Sequence, residues 1–159
     1  MKLDPTDVRL LEALQRDCRI KSADLAEKVG LSLSPCYRRI RLLEEAGVIK
    51  SYVALVDPKK GGFPIDAYVS VAIDKRKAGT MDAFAREVVV FEEVVSCCVM
   101  TGSFDYLLHV VSADIAGIDR FVTAKLTRLP GVSDINTAIP LRTVFSRTAL
   151  PVKAHHGDD

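Results

Sequence analysis

Two different periods of apolar residues divide the chain near residue 60. Before that point, apolar residues recur every three or four positions, which is the spacing of amphipathic helices. After it, residues 67–73 alternate in the manner of a half-buried strand. The stretch between them, Asp57 to Pro64, is polar, rich in glycine and bracketed by prolines. We therefore predict a helical domain at residues 1–56, a linker at 57–65, a second domain at 66–148 and a tail at 149–159.

Residues 20–52 have the pattern of a helix-turn-helix. Ser22 is a candidate cap for a short helix that Gly30 ends, and a second helix is predicted from about Leu33 to Ala46. Residues 48–56 then predict a short two-stranded wing. Such a second helix can lie in the DNA major groove, where arginines bind guanine or phosphate. The alternative is a plain helical hairpin whose arginines are only a solvated face.

The second helix has an apolar and a polar side at 100° per residue. The apolar side contains Leu33, Cys36, Ile40 and Leu43. The polar side contains Ser34, Arg38, Arg41 and Glu45, with Tyr37 and Arg39 on its flanks. The first helix of the domain begins at a capping sequence in which Asp4 caps, Pro5 takes the first position and Asp7 completes a capping box.

The second domain has the element order β-α-β-β-α-β, which is the ferredoxin-like arrangement. Strands are predicted at about 67–73, 94–101, 106–112 and 132–144, with one helix capped by Thr80 and another starting at Ser112 or Asp114. The fold class is therefore α+β. Two helices would cover one face of the sheet, and apolar residues on the other face predict dimerisation.

Composition and charge exclude several classes of protein. The net charge is +1, but residues 1–64 hold 12 basic against 9 acidic side chains and residues 65–159 hold 10 against 12. The mild basic excess lies with the helix-turn-helix. No apolar run approaches the ~20 residues that span a bilayer, and the N-terminus lacks a signal-peptide pattern, so a cytoplasmic protein is expected. The four cysteines, at 18, 36, 97 and 98, are expected to be small buried residues without zinc or disulfides.

No pair of nucleophile and base is visible, so we predict no enzyme and no cofactor or metal. His109 lies inside a strand and is expected to be packed, and His155-His156 in the polar tail are expected to be disordered. The turn between the two central strands is different, because backbone N–H groups there can bind a carboxylate and Asp105 can bind an ammonium. This chemistry suits a free amino acid. On chemistry alone, however, an ordinary turn in which Asp105 bonds its own backbone is favoured.

Three motifs in order give the chain a family resemblance over residues 3–145. They read LDPTDVRLLEALQRDCRI, DLAEKVGLSLSPCYRRIRLLEEAGVIKSYVALVD, and VMTGSFDYLLHVV followed by LPGV. The chain resembles the leucine-responsive regulatory protein/AsnC, or feast/famine, family of transcription regulators, and most of all its leucine-responsive branch. One departure is Gly61-Gly62-Phe63-Pro64, which is more broken than the family's usual hinge.

The resemblance implies a winged helix-turn-helix joined to a ligand-sensing βαββαβ domain, dimers formed through the sheets, and octameric rings. It also implies that amino acids bind between dimers near the turn that joins strands 2 and 3. The DNA-facing residues would be Ser32, Ser34, Tyr37, Arg38, Arg39, Arg41 and, in the wing, Lys50. The effector-binding residues would be Thr101, Gly102, Ser103, Phe104, Asp105 and Tyr106.

The sequence thus predicts a sequence-specific DNA-binding transcription regulator that responds to a small effector, an amino acid. Its partners would be double-stranded DNA, the effector and further copies of the same chain, in a nucleoid-associated, cytoplasmic assembly. The alternative is a DNA-organising architectural protein whose C-terminal domain only oligomerises.

Overall fold

The structure is a computed structural model that describes residues 1–76 and 78–154. The chain separates into two compact units. The first contains Met1–Ala54 together with the segment that begins at Val144, and the second contains Leu55–Thr143. No helix within the described ranges is long and apolar enough to cross a membrane.

Three helices form the first unit: α1 (Pro5–Arg16), α2 (Ser22–Val29) and α3 (Leu33–Glu45). The predicted capping box at α1 is confirmed, because Asp4 Oδ1 accepts the Asp7 N–H at 2.8 Å and Asp7 Oδ2 accepts the Asp4 N–H at 3.0 Å. A shared core holds the three helices together. Its fully buried side chains include Leu10, Leu25, Cys36 and Leu43.

Some local predictions for this unit were wrong. Ser22 is the first residue of α2 and makes no cap, since the cap position belongs to Lys21. Leu33 is 48% exposed because it lies in the first turn of α3, beyond the reach of the core. No strand is formed by residues 48–56, so the predicted two-stranded wing does not form within one chain. The reason is that a strand needs a hydrogen-bonding partner, and none of the described segments pairs with this one.

The second unit is a four-stranded antiparallel sheet with helices on one face. Its elements are β1 (Ile65–Ile73), α4 (Thr80–Val88), β2 (Val94–Val99), β3 (Tyr106–Ser112), α5 (Ile115–Arg120) and β4 (Val132–Ala138). The strand order is β2-β3-β1-β4, which confirms the ferredoxin-like topology. β1 and β3 lie in the centre and β2 and β4 at the edges.

Alternation along the central strands decides which sheet face is buried. On β1, the side chains of Ala67, Val69, Val71 and Ile73 are buried against the helices, which confirms the predicted half-buried strand. They pack with Phe84 and Val88 of α4 and with Phe121 and Leu126 after α5. The opposite face has no covering element among the described residues, and Tyr68 is 44% exposed there.

The edges and ends of this unit depart from the predictions. Thr80 is the first residue of α4 rather than its cap, a position taken by Gly79. Asp114 does cap α5, but the helix passes into a π-helical turn at Phe121–Lys125 and a 3₁₀ turn at Leu126–Arg128. Thr123 and Thr127 donate hydroxyl hydrogen bonds to the carbonyls four residues earlier, a contact that often bends helices.

Two of the predicted strands, at 94–101 and 132–144, were also too long. β4 stops at Ala138, two residues before Pro140, because a proline lacks the N–H that would continue the ladder.

The cysteines also differ from the prediction that they would be buried: three of the four are exposed, and only Cys36 is buried. Cys97 and Cys98 are exposed because they lie on β2, an edge strand.

The C-terminal segment packs on the first unit, although the sequence predicted a free tail. The Leu150 N–H donates to Gln15 Oε1 at 2.7 Å, and Gln15 Nε2 donates to the Leu150 carbonyl at 3.2 Å. Val152 packs against the core of the three helices. The two histidines at 155 and 156 lie outside the described residues.

Candidate nucleic-acid interface and effector turn

The exposed side of α3 presents a tyrosine and two arginines in one shallow groove. The groove encloses about 560 Å³ and is lined by Tyr37, Arg38, Ile40, Arg41 and Glu44. Ser32 and Ser34 are exposed at the N-terminal end of the helix, and Lys50 is exposed beyond its C-terminal end. Helical spacing therefore places on one surface most of the side chains that the sequence predicted for DNA.

These side chains differ in how firmly they are held. The Tyr37 hydroxyl donates to Ser22 Oγ at 2.7 Å, which ties α3 to the start of α2. Arg41 Nε donates to Glu45 Oε1 at 2.7 Å, and both side chains are largely exposed. Arg38 makes no hydrogen bond or ion pair with any residue that the structure describes. Its guanidinium can therefore bind a phosphate or a base without breaking a contact of the protein.

Arg39 has a different environment from the one the sequence predicted. Its Nη1 donates to Asp4 Oδ2 at 2.6 Å and to Asp7 Oδ1 at 2.8 Å. Burial opposes ionisation of Asp4, but hydrogen bonds from the Asp7 N–H and from Arg39 outweigh it, so the pKa of Asp4 is lowered. The two carboxylates in turn raise the pKa of Arg39. Arg39 thus holds α3 to the start of α1, and its side chain is only partly exposed, unlike those of Arg38 and Arg41.

The turn between β2 and β3 is the candidate effector site. Thr101, Gly102 and Ser103 are exposed, and Phe104 is half-buried. Gly102 has φ +113°, a conformation that residues with a side chain rarely adopt. The Met100 N–H donates to the Asp105 carbonyl at 2.8 Å and closes the turn.

The side chain of Asp105 bonds to β1 rather than to its own turn. Its Oδ2 accepts the N–H of Ile73 at 2.9 Å, and its own N–H donates to the Val71 carbonyl at 2.9 Å. Its Oδ1 lies 2.6 Å from Lys75 Nζ. The Lys75 ammonium and then the Ile73 N–H lower the pKa of Asp105, so it is a carboxylate at neutral pH. Lys75 was not among the predicted residues, because only the pairing of β1 with β3 brings it beside the turn.

Tyr106 supports the turn from inside the core. It is 3% exposed, its ring centroid lies 4.6 Å from that of Phe84, and its hydroxyl donates to the Met81 carbonyl at 2.9 Å. Burial raises the pKa of Tyr106. The phenol therefore faces α4, whereas the sequence predicted that it would face an effector.

Other candidate chemistry is accounted for by packing. His109 stacks on Tyr68 with ring centroids 5.1 Å apart, and its Nε2 lies 2.8 Å from Asp66 Oδ1. In the described parts of the chain, no group of three or more His, Cys, Asp or Glu side chains could hold a metal ion.

Comparison with known proteins places both units in one family. Residues 3–50 match the family described as winged helix-turn-helix DNA-binding, and residues 66–150 match the Lrp/AsnC ligand binding domain. The chain is 40% identical to the Bkd operon transcriptional regulator of Pseudomonas aeruginosa, over 95% of this chain and 99% of that protein. It is 36% identical to the leucine-responsive regulatory protein of Haemophilus influenzae, over 95% and 91%.

Solved structures agree with these matches. A transcriptional regulator from Neisseria meningitidis in complex with L-Met is 37% identical and superposes with a TM-score of 0.89, covering 94% of this chain and 96% of that one. An AsnC family regulator from Agrobacterium tumefaciens is 38% identical with a TM-score of 0.87, covering 94% and 97%. The relatives are transcription regulators rather than enzymes. The chain therefore belongs to the Lrp/AsnC family of transcription regulators, with an N-terminal helix-turn-helix that binds DNA and a C-terminal domain that binds a small effector.

Proposed function

We propose that the protein is a sequence-specific transcription regulator whose effector is an amino acid. The observation that carries the proposal is the pairing of two surfaces in one chain. One is the exposed polar side of α3, and the other is a turn in which a glycine, two hydroxyls and an ionised Asp105 lie together. The domain boundaries that go with it are 1–56, 66–148 and the linker between them.

DNA recognition is assigned to the exposed side of α3. The N-terminal half of a recognition helix contacts base edges, and flanking cations contact phosphates. Arg38 has no competing ion pair in the described chain, while Arg41 can exchange Glu45 for a phosphate. The proposed contact residues are Ser32, Ser34, Tyr37, Arg38, Arg41 and Lys50. Arg39 is left out because Asp4 and Asp7 hold it.

Amino-acid binding is assigned to the turn that joins β2 and β3. Backbone N–H groups around Gly102 suit the carboxylate of a zwitterion, and Asp105 suits its ammonium. A relative that is 37% identical was solved with L-Met, so L-methionine is the natural first probe. The proposed residues are Thr101, Gly102, Ser103, Phe104 and Asp105, with Tyr106 supporting them from the core.

Assembly is proposed to couple the two functions. The open face of the sheet would pair in a homodimer, dimers would form octameric rings, and effectors would bind between dimers near the turn. A change of assembly alters how many recognition helices can engage spaced half-sites at once, and so alters DNA affinity. Association with the nucleoid follows from many such contacts.

The DNA part is tested with Arg38→Ala and Arg41→Ala. Each should weaken binding to operator DNA, because both side chains are exposed and polar. A lost phosphate contact lowers the salt dependence by about one unit, whereas a lost base contact costs about 1–3 kcal/mol and relaxes sequence preference. Fluorescence anisotropy at several salt concentrations separates these results. Binding of both variants at parental affinity contradicts the assignment of α3.

The effector part is tested by thermal shift with the twenty amino acids, followed by calorimetry. An effector at 100 times its dissociation constant stabilises the protein by about 2.7 kcal/mol. Asp105→Asn should weaken the binding of that amino acid and leave basal DNA affinity unchanged. Failure of every amino acid to bind contradicts the proposed effector class. Binding that never changes DNA affinity favours the alternative, an architectural DNA-organising protein.

A further inference from the structure

Lys75 is the cation that contacts the carboxylate of the effector turn. It lies in the turn between β1 and α4, and its Nζ lies 2.6 Å from Asp105 Oδ1. The side chain of Lys75 is 67% exposed, whereas that of Asp105 is 15% exposed. The long, exposed side chain of Lys75 therefore covers the mostly buried carboxylate of Asp105.

The two oxygens of Asp105 have partners of different kinds. Oδ2 accepts a backbone N–H of β1, from Ile73, and the Asp105 N–H is bonded to the Val71 carbonyl. Both bonds go to backbone groups of β1 and do not involve Lys75. Oδ1 is held only by Lys75 among the residues described. Its partner can therefore be exchanged for another cation without breaking a bond to the backbone.

A free amino acid offers the same donor as Lys75, an ammonium group with three N–H bonds and one positive charge. Two ammonium groups at one carboxylate oxygen repel each other, so one must leave. We propose that Lys75 competes with the effector's ammonium group for Asp105 and thereby sets the effector concentration at which the regulator responds. This inference rests on the proposed effector function of the turn.

The ion pair is of a kind that a ligand can displace. The lysine end of the pair is 67% exposed, so water and the freedom of the long side chain both weaken it. Removing the competitor should accordingly strengthen effector binding about two- to fivefold. The affinity of ligands without an ammonium group should not depend on Lys75, since such ligands have no cation to bind at Asp105 Oδ1.

The test is calorimetric titration of L-methionine, or of whichever amino acid binds most tightly in the twenty-member panel, into full-length protein. The variants are Lys75→Met, which keeps the length and removes the charge, and Lys75→Arg, which keeps the charge. Arg76→Met is the matched control, because Arg76 is the adjacent exposed cation but pairs with Asp74. The N-acetylated form of the same amino acid is the matched ligand, since it lacks the ammonium.

Competition predicts tighter binding of the free amino acid to Lys75→Met, little change for Lys75→Arg and Arg76→Met, and no gain for the N-acetylated ligand. Unchanged or weaker binding to Lys75→Met overturns the inference and leaves the effector function standing, since weaker binding means that Lys75 holds the effector itself. An equal gain for the N-acetylated ligand also overturns it, because Lys75 would then act only by occupying space. Failure of every amino acid to bind the parent protein overturns both proposals.

Discussion

Arg39 donates two hydrogen bonds across the start of α1, and one of its acceptors, Asp7, has a side chain that is only 3% exposed. Removing the guanidinium would leave that carboxylate buried without its cation. Arg39→Met should therefore lower the free energy of unfolding of the first unit by about 1–3 kcal/mol, measured by urea denaturation. The neighbouring Arg38→Met should change stability by less than about 0.5 kcal/mol, because Arg38 is exposed.

The same pair of variants distinguishes a structural residue from a DNA-contacting one. Arg38→Met should weaken DNA binding, while Arg39→Met should leave the affinity of the folded fraction unchanged. Parental stability together with weakened DNA binding in Arg39→Met would return Arg39 to the set that the sequence predicted.

Asp4 gives this cluster a pH dependence with a definite sign. Its pKa is lowered below the ordinary value of 3.8, so its contribution to stability is fully present above that value. The contribution is lost as the pH falls through the lowered pKa of the folded state. Urea denaturation of the parent from neutral pH to about pH 3 should show this loss. The loss should be smaller in Arg39→Met, because its Asp4 lacks the cation.

Gly131, between the last helical turn and β4, shows how a single missing side chain can decide packing. Its φ is +74°, and a Cβ there would overlap the methyl group of Thr80 and come within 3.1 Å of Ile73 Cγ2. Gly131→Ala should destabilise the second unit by about 2–4 kcal/mol, from backbone strain and overpacking together. Gly79→Ala is the control, since its φ is +81° with open space around it.

Thermal unfolding followed by circular dichroism measures both glycine variants. The control should show only the backbone strain, of about 1–2 kcal/mol. Equal losses in the two variants would mean that Thr80 and Ile73 move aside and that the close approach at Gly131 is without consequence.

At the scale of elements, the C-terminal segment is a part of the helix-turn-helix unit. Two hydrogen bonds join Leu150 to Gln15, and Val152 extends the core of the three helices. Deleting residues 149–159 should lower the stability of the first unit by about 1–3 kcal/mol, measured by denaturant unfolding. Deleting residues 155–159 alone keeps these contacts and should have little effect. Parental stability of the longer deletion contradicts the structural role.

Residues 48–56 are an element with strand propensity and no partner strand in the described chain. Val53, Leu55 and Val56 are exposed, and Tyr52 donates its hydroxyl hydrogen bond to Glu44 Oε1 at 2.8 Å. Partial burial and the Glu44 carboxylate raise the pKa of Tyr52 to about 12. The contact ties the middle of the segment to α3, and the N–H groups of Val48 and Ile49 donate to the Leu43 carbonyl at its start.

At the scale of the whole molecule, the open face of the sheet is the surface proposed to form the dimer. Tyr68 is exposed at its centre, stacked on His109. Tyr68→Glu should weaken dimerisation, because a charge that loses water without a partner is strongly unfavourable. Ala85→Glu adds the same charge to an exposed position on α4 and is the control.

Sedimentation velocity at micromolar concentration measures the effect. The parent and the α4 variant should sediment as dimers or larger species, and Tyr68→Glu should shift toward the monomer. A parent protein that is monomeric under these conditions contradicts the proposed sheet-to-sheet pairing, and with it the rings.

The sequence by itself determined the elements and the family. Apolar periodicity located the three helices, the α+β division and the order of the second unit, and the capping residues Asp4 and Asp114 marked helix starts correctly. These features depend on neighbours in sequence, because helix and strand periods and caps act over a few residues. The motifs around α3 and the β2–β3 turn identified the family for the same reason.

Tertiary structure alone decided what the polar residues touch. The helical pattern put Arg38 on the polar side of α3 and Arg39 on its flank, and both were predicted to face DNA. Only the packing of α1 against α3 turns Arg39 into an internal ion pair. Asp105 could have capped its own turn, but the register of β1 with β3 gave it Ile73 and Lys75 as partners. Cys97 is exposed because β2 lies at the edge of the sheet. Leu150 is held in place by its hydrogen bonds with Gln15. Each of these outcomes depends on contacts between residues far apart in sequence, and local sequence patterns do not predict such contacts.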